Sequence, residues 1–184
     1  MSTKLLKALP CLFALALSSA HGQFFVDFCI YGSAAYRFLP SETALHLPSA
    51  GIGLGARLRS FFAPSIDIVL TGLGRKQHDE YLMWVELHYR LLLQLQYQQT
   101  PTTAPSISLE WIFPILPSVQ SPWRQELRRD LRAVRVGGFA GLSIPNVLGG
   151  RYLHLLAGTH YPLRRPQTLS SRLIPEVRLL WESR

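Results

Sequence analysis

Charge falls on alternate positions along much of this chain. Glu86, His88 and Arg90 stand two residues apart, as do Glu176 with Arg178 and Arg57 with Arg59. Residues two apart share one side of a β-strand, so each set converges on a common space. Carboxylates and guanidiniums gathered there can brace an interior. A histidine between an acid and a base can also relay a proton or ligate a metal. For His88 the expected role is a held member of such an interior set. His160 in Gly158-Thr159-His160-Tyr161 raises nucleophilic chemistry, which needs a serine activated by histidine with an acid behind it. The nearest serines downstream, Ser170 and Ser171, lie in a loop with no acid beside them, so hydrogen bonding at an interface is the expected use. His46, His78 and His154 share no metal-ligand spacing. No catalytic, cofactor-binding or metal-binding residue is therefore expected, and the chain does not read as an enzyme.

The elements that must position these charges are strands. In Gly51-Ile52-Gly53-Leu54-Gly55-Ala56-Arg57-Leu58-Arg59 the aliphatic residues fall on one face, and three glycines with two arginines fall on the other. Alternation bounded by Pro, Gly, Ser and Asn predicts eight strands near 24–38, 50–61, 64–73, 81–97, 105–116, 133–144, 151–161 and 172–181. One face carries Phe24, Val26, Phe28 and Ile30, then Ile66, Ile68 and Leu70, then Met83 to Tyr97, and it continues uncharged to Leu179 and Trp181. The other carries Asp27, Asp67, Glu86, Glu110 and Glu176 against Arg57, Arg59, Arg90, Arg135 and Arg178. Gly51, Gly53, Gly55, Gly137 and Gly141 leave room for long side chains there, and Trp84 joins them. The fold class is all-β, an antiparallel up-and-down eight-stranded barrel. Its bore is just wide enough to be filled by side chains, so the charged set is expected to form a closed ion-pair network.

Residues 1–22 have a basic start (Lys4, Lys7), an apolar stretch and the small-residue tail Ser18-Ser19-Ala20-His21-Gly22. This is the layout of a cleavable signal peptide, leaving 23–184 as one barrel domain. Without residues 1–22 the chain keeps Lys76 as its one lysine beside sixteen arginines and Cys29 as its one cysteine, which excludes an internal disulfide. Only 16% of the chain is charged, too little for an exterior that faces water throughout.

Periodicity alone leaves two orientations open. With the apolar face outward the barrel spans a membrane; with it inward the barrel is a soluble, lipocalin-like carrier of an apolar ligand. Scarce lysine, the glycine-rich polar face and aromatic residues near both ends (Phe61, Phe62, Tyr97 and Trp181; Phe38, Tyr81, Phe113 and Tyr161) favour the first. The links after strands two, four and six should be short, and those at the other end longer. Pro175 suggests a bulge or weak seam in the closing strand.

By this pattern the chain resembles the small eight-stranded outer-membrane β-barrel proteins of Gram-negative bacteria. The resemblance implies integral insertion in the outer membrane, with the barrel-assembly machinery as a partner during biogenesis. It also implies a structural or surface-interaction role. Members usually finish on an aromatic residue, whereas here Glu182-Ser183-Arg184 follow Trp181. Some barrels of this size resemble lipid A-modifying enzymes, which stands as an alternative beside the soluble carrier.

The third link beyond the strands predicts a short helix. Ser121-Pro122 can start it, Trp123, Leu127 and Leu131 recur four apart, and Arg124, Arg128 and Arg132 follow on an adjacent face with Arg129. Either it lies as a basic amphipathic helix at the membrane surface, or it is a solvated loop partly neutralised by Glu126 and Asp130. In the first case Arg124, Arg128 and Arg132, with Arg164 and Arg165 of the next link, pair with lipopolysaccharide phosphates. Nucleic acid is not an expected partner of secreted, internally paired charge. Glycines 51–55 lack the lysine and helix of a phosphate loop.

Overall fold

The computed structural model describes residues 26–39, 45–58, 62–75, 80–95, 102–116, 125–169 and 171–183. The strands are β1 (Val26–Leu39), β2 (Leu45–Leu58), β3 (Phe62–Arg75), β4 (Glu80–Gln94), β5 (Ala104–Ile115), β6 (Arg135–Pro145), β7 (Tyr152–Pro162) and β8 (Ile174–Glu182). One helix, α1 (Gln125–Leu131), lies between β5 and β6. Each strand pairs antiparallel with the next, and β8 returns to β1, giving a closed up-and-down barrel. Closure leaves no strand edge for another chain to extend.

Eight strands were legible, but several bounds move. β2 begins at Leu45, five residues before its predicted start, because Pro48 sits inside the strand without shifting its register against β1. The β2–β3 ladder skips 47–48 opposite 72–73 and 56–57 opposite 63–64. Each gap holds a proline, Pro48 or Pro64, that has no N–H to donate. The first two links at the α1 end, 40–44 and 76–79, are shorter than the 95–103 link at the other end. The expected length asymmetry therefore fails for two of four links. Pro175 produces no bulge: its pairing with β7 keeps register, and the β1 ladder starts one residue later at Glu176.

The direction of the faces is clear. Phe28, Ile52, Leu54, Ile68, Met83, Val177 and Leu179 point outward and are exposed. No strand position on the outward face carries an acid, lysine or arginine among the described residues. An inward apolar face, as in a ligand-carrying barrel, is not what the chain adopts. The arginines and carboxylates take the bore because ion pairs across a narrow barrel satisfy one another, whereas glycines on the same face keep the backbones close.

The bore is filled in layers. At the α1 end Leu39, Leu47, Leu73, Trp84 and Ile174 pack with Leu127 and Leu131 of the helix. Below them comes a large charged layer, then Cys29, Tyr31, Ala63, Leu92, Phe139, Leu156 and Leu180, then a smaller polar layer near the far end. The glycines do make room, though not chiefly for arginine. A Cβ on Gly53 would run into the Asp67 carboxylate, and one on Gly137 would lie 2.7 Å from His160 Nδ1.

Candidate functional site

Five acids and five arginines are buried in the bore of the described barrel: Asp67, Glu86, Glu110, Glu176 and Glu182 with Arg37, Arg57, Arg90, Arg135 and Arg178. Glu86 is the hub of the larger layer. It accepts from Arg37 Nη1 at 2.7 Å, from Arg135, from Trp84 Nε1 at 3.0 Å, and contacts His88 Nε2 at 3.0 Å. His88 also lies 3.4 Å from Glu110 through Nδ1. Glu110 joins Arg178 and, at 3.1 Å, Arg90, which pairs with Asp67. Glu176 joins Arg37 and Arg178 and meets His160 Nε2 at 2.7 Å. Several of these links cross the bore between strands that are not neighbours, such as Arg37 of β1 to Glu86 of β4.

Eight of the ten network residues read from the sequence are brought together in the bore: Arg57, Asp67, Glu86, Arg90, Glu110, Arg135, Glu176 and Arg178. Asp27 is not: it has the right parity but stands at the rim, half exposed, and pairs with Arg151 at 2.6 Å. Arg59 lies outside the described residues. The bore also holds Glu182 and Arg37, which sequence reasoning missed. Parity would have found Arg37, which falls on the side of Cys29 and Tyr31. Glu182 was hidden by reading Trp181 as the strand's last residue.

Glu182 organises the second polar layer. Arg57 Nε reaches its Oε1 at 2.6 Å, His154 Nε2 lies 3.3 Å from Oε2, and Ser143 Oγ is 2.6 Å from His154 Nδ1. Serine, histidine and acid are thus connected as in a nucleophile, base and orienting acid. All three are fully buried, however, so the serine offers no face to a substrate. The set instead satisfies polar groups sealed in the bore. His160 likewise departs from its expected interface role: it is fully buried and held by Glu176, an acid sixteen residues away in sequence. Among the described residues no group of three or more His, Cys, Asp or Glu could hold a metal.

Among the described residues, exposed arginines gather at the α1 end. The helix does not lie flat on an outer surface; Leu127 and Leu131 turn into the barrel mouth and stopper it. This orientation follows from burial, because the strand ends leave an apolar ring that water would otherwise wet. The buried Asp130 carboxylate accepts from the backbone N–H groups of Gln167 and Thr168 and from Thr168 Oγ1, tying the last link to the helix. Arg129 donates to Gln167 Oε1. Arg132, Arg164 and Arg165 are exposed and Arg128 is half-buried, while Ser121, Pro122, Trp123 and Arg124 lie outside the described residues. Of the aromatic residues expected near the two ends, Phe38 and Tyr161 are exposed, and Phe62, Phe113 and Trp181 are half-buried. Phe61 and Tyr97 are outside the described residues. Compared with known protein families, curated proteins and solved structures, the chain matches none.

Proposed function

We propose that the protein is a non-enzymatic integral barrel of a bacterial outer membrane, made after removal of an N-terminal signal peptide, whose α1 end contacts lipopolysaccharide or partners outside the cell. The observation that carries this reading is the outward belt: aliphatic and aromatic side chains exposed on all eight strands, with no acid, lysine or arginine among the described outward strand positions. In water so continuous an apolar exterior would drive aggregation. In a bilayer it is the required surface. Strands of 9 to 15 residues meet the length that a tilted membrane strand needs. The packed bore argues against a transport channel and gives the barrel a rigid, braced interior.

The test is Leu54→Arg. Leu54 is 68% exposed in mid-strand. At a bilayer midplane the arginine costs about 2–4 kcal/mol of folding stability, while on a water-facing surface it would be close to neutral. The expected result is loss of the compact, heat-shifted band on unboiled gels after refolding into lipid. A variant that folds equally well without detergent or lipid would overturn the reading.

A further inference from the structure

The outward belt is not uniform. On β6 and β7 the residues facing out include Gly138, Ala140, Ala157 and Thr159, paired as Gly138 with Thr159 and Ala140 with Ala157. Two shallow hollows adjoin along this valley. One reaches up past Leu109 and Trp111 to Tyr161; the other runs down past Leu142, Leu155 and Leu179 to Ala34 of β1. A Cβ placed on Gly138 would meet nothing within 4 Å. The upper end opens at the α1 rim. There Arg172 donates to the Tyr161 hydroxyl at 2.7 Å and lies over its ring. Arg164 and Arg165 are exposed on the link that leaves β7, and the neighbouring Leu163 and Leu173 are half exposed. Asp130, an acid of α1, is buried and occupied by Gln167 and Thr168.

A valley of small residues in an apolar wall, headed by three exposed arginines, matches an acyl chain beneath a phosphorylated headgroup. We propose that this valley is a binding site for lipid A, one acyl chain lying along Gly138, Ala140 and Ala157 with a lipid phosphate held by Arg164, Arg165 and Arg172. The inference rests on the outer-membrane reading above. Within a bilayer the hydrophobic effect does not distinguish one chain from the next, because every tail is equally apolar. Selection comes from close packing against small side chains and from charge-assisted bonds to phosphate. The valley supplies the first and its basic head the second.

The test uses the full mature chain refolded in detergent micelles, its fold verified by heat-modified gel mobility. Native mass spectrometry then reads retention of hexa-acylated bisphosphoryl lipid A, of its dephosphorylated form, and of phosphatidylglycerol. Gly138→Leu puts bulk into the valley from a Cβ that meets nothing within 4 Å. Ala50→Leu places the same side chain on the outward face of β2 and serves as the control. Gly138→Leu should weaken lipid A retention roughly fivefold, with Ala50→Leu unchanged. Joint replacement of Arg164, Arg165 and Arg172 by Gln should weaken it by roughly tenfold, and removal of the lipid's phosphates should do the same. Equal retention by the wild type, the Gly138→Leu variant and the arginine variant would overturn the proposal. So would a stronger hold on phosphatidylglycerol, or a wild-type dimer that Gly138→Leu abolishes, which would assign the valley to a second copy of the chain. A chain that never gives the heat-shifted band in micelles would count against the membrane reading itself, whereas a folded barrel indifferent to Gly138→Leu would sink only the lipid site.

Discussion

Glu86→Gln is the sharpest probe of how the bore is held. Glu86 is fully buried and meets Arg37, Arg135, Trp84 and His88. The amide keeps the shape but removes the charge and turns one acceptor into a donor. Arg37 retains Glu176, but Arg135 has no second direct carboxylate partner among the described residues. Its guanidinium is left charged and sealed, which costs about 3–5 kcal/mol. Asp27→Asn removes a pair of similar geometry whose members are partly exposed, and there the loss is about 0–1 kcal/mol. Adding Arg135→Met to Glu86→Gln deletes the orphan cation, so the double variant should regain part of the stability lost. Urea unfolding in the refolding detergent, followed by tryptophan fluorescence and gel mobility, measures all four proteins. A Glu86→Gln loss no larger than that of Asp27→Asn would refute the reasoning. A double variant less stable than Glu86→Gln alone would refute it equally.

Gly53→Val should lower stability by about 3 kcal/mol or prevent refolding, since the new side chain collides with the Asp67 carboxylate and approaches the Ile66 carbonyl at 2.9 Å; Gly138→Ala, which meets nothing, should unfold at the wild-type urea midpoint. Replacing Leu127 and Leu131 by Asp should free the helix from the mouth. Trypsin should then cleave at Arg128, Arg129 or Arg132 in a barrel that still shifts on heating. Unchanged protease resistance would show that the helix is held by something other than its two leucines.

The alternation of Ile52 and Leu54 with Gly51, Gly53 and Gly55 made the strands and their number readable, because period two is a local property of the chain. What proved unreadable depends on register. Ser143 and His154 meet because β6 and β7 pair Ser143 opposite His154, and nothing nearby in sequence announces that match. Pro48 misplaced the start of β2, since a proline reads as a break even where the ladder can omit its N–H. The spacing of Leu127 and Leu131 showed a helix with one apolar side. It could not show that the surface awaiting that side was the ring of Leu39, Leu47, Leu73 and Ile174. Glu182 was set aside as a polar tail, although its parity with Leu180 and Arg178 placed it in the bore.

The contacts across the bore also bear on the order of assembly. Arg57 of β2 finds Glu182 of β8, Arg37 of β1 finds Glu86 of β4, and Arg178 of β8 finds Glu110 of β5. Hairpins forming between neighbouring strands can make none of these links. The ladder between β1 and β8 joins segments about 150 residues apart, the most distant pairing in the chain and the slowest to find by diffusion. Asp67, Arg90 and Glu110 stand on consecutive strands and can meet before that ladder zips. The cross-bore links of Arg37, Arg57 and Arg178 wait for the seam, so closing the cylinder strips the water from these arginines and their carboxylates in one step.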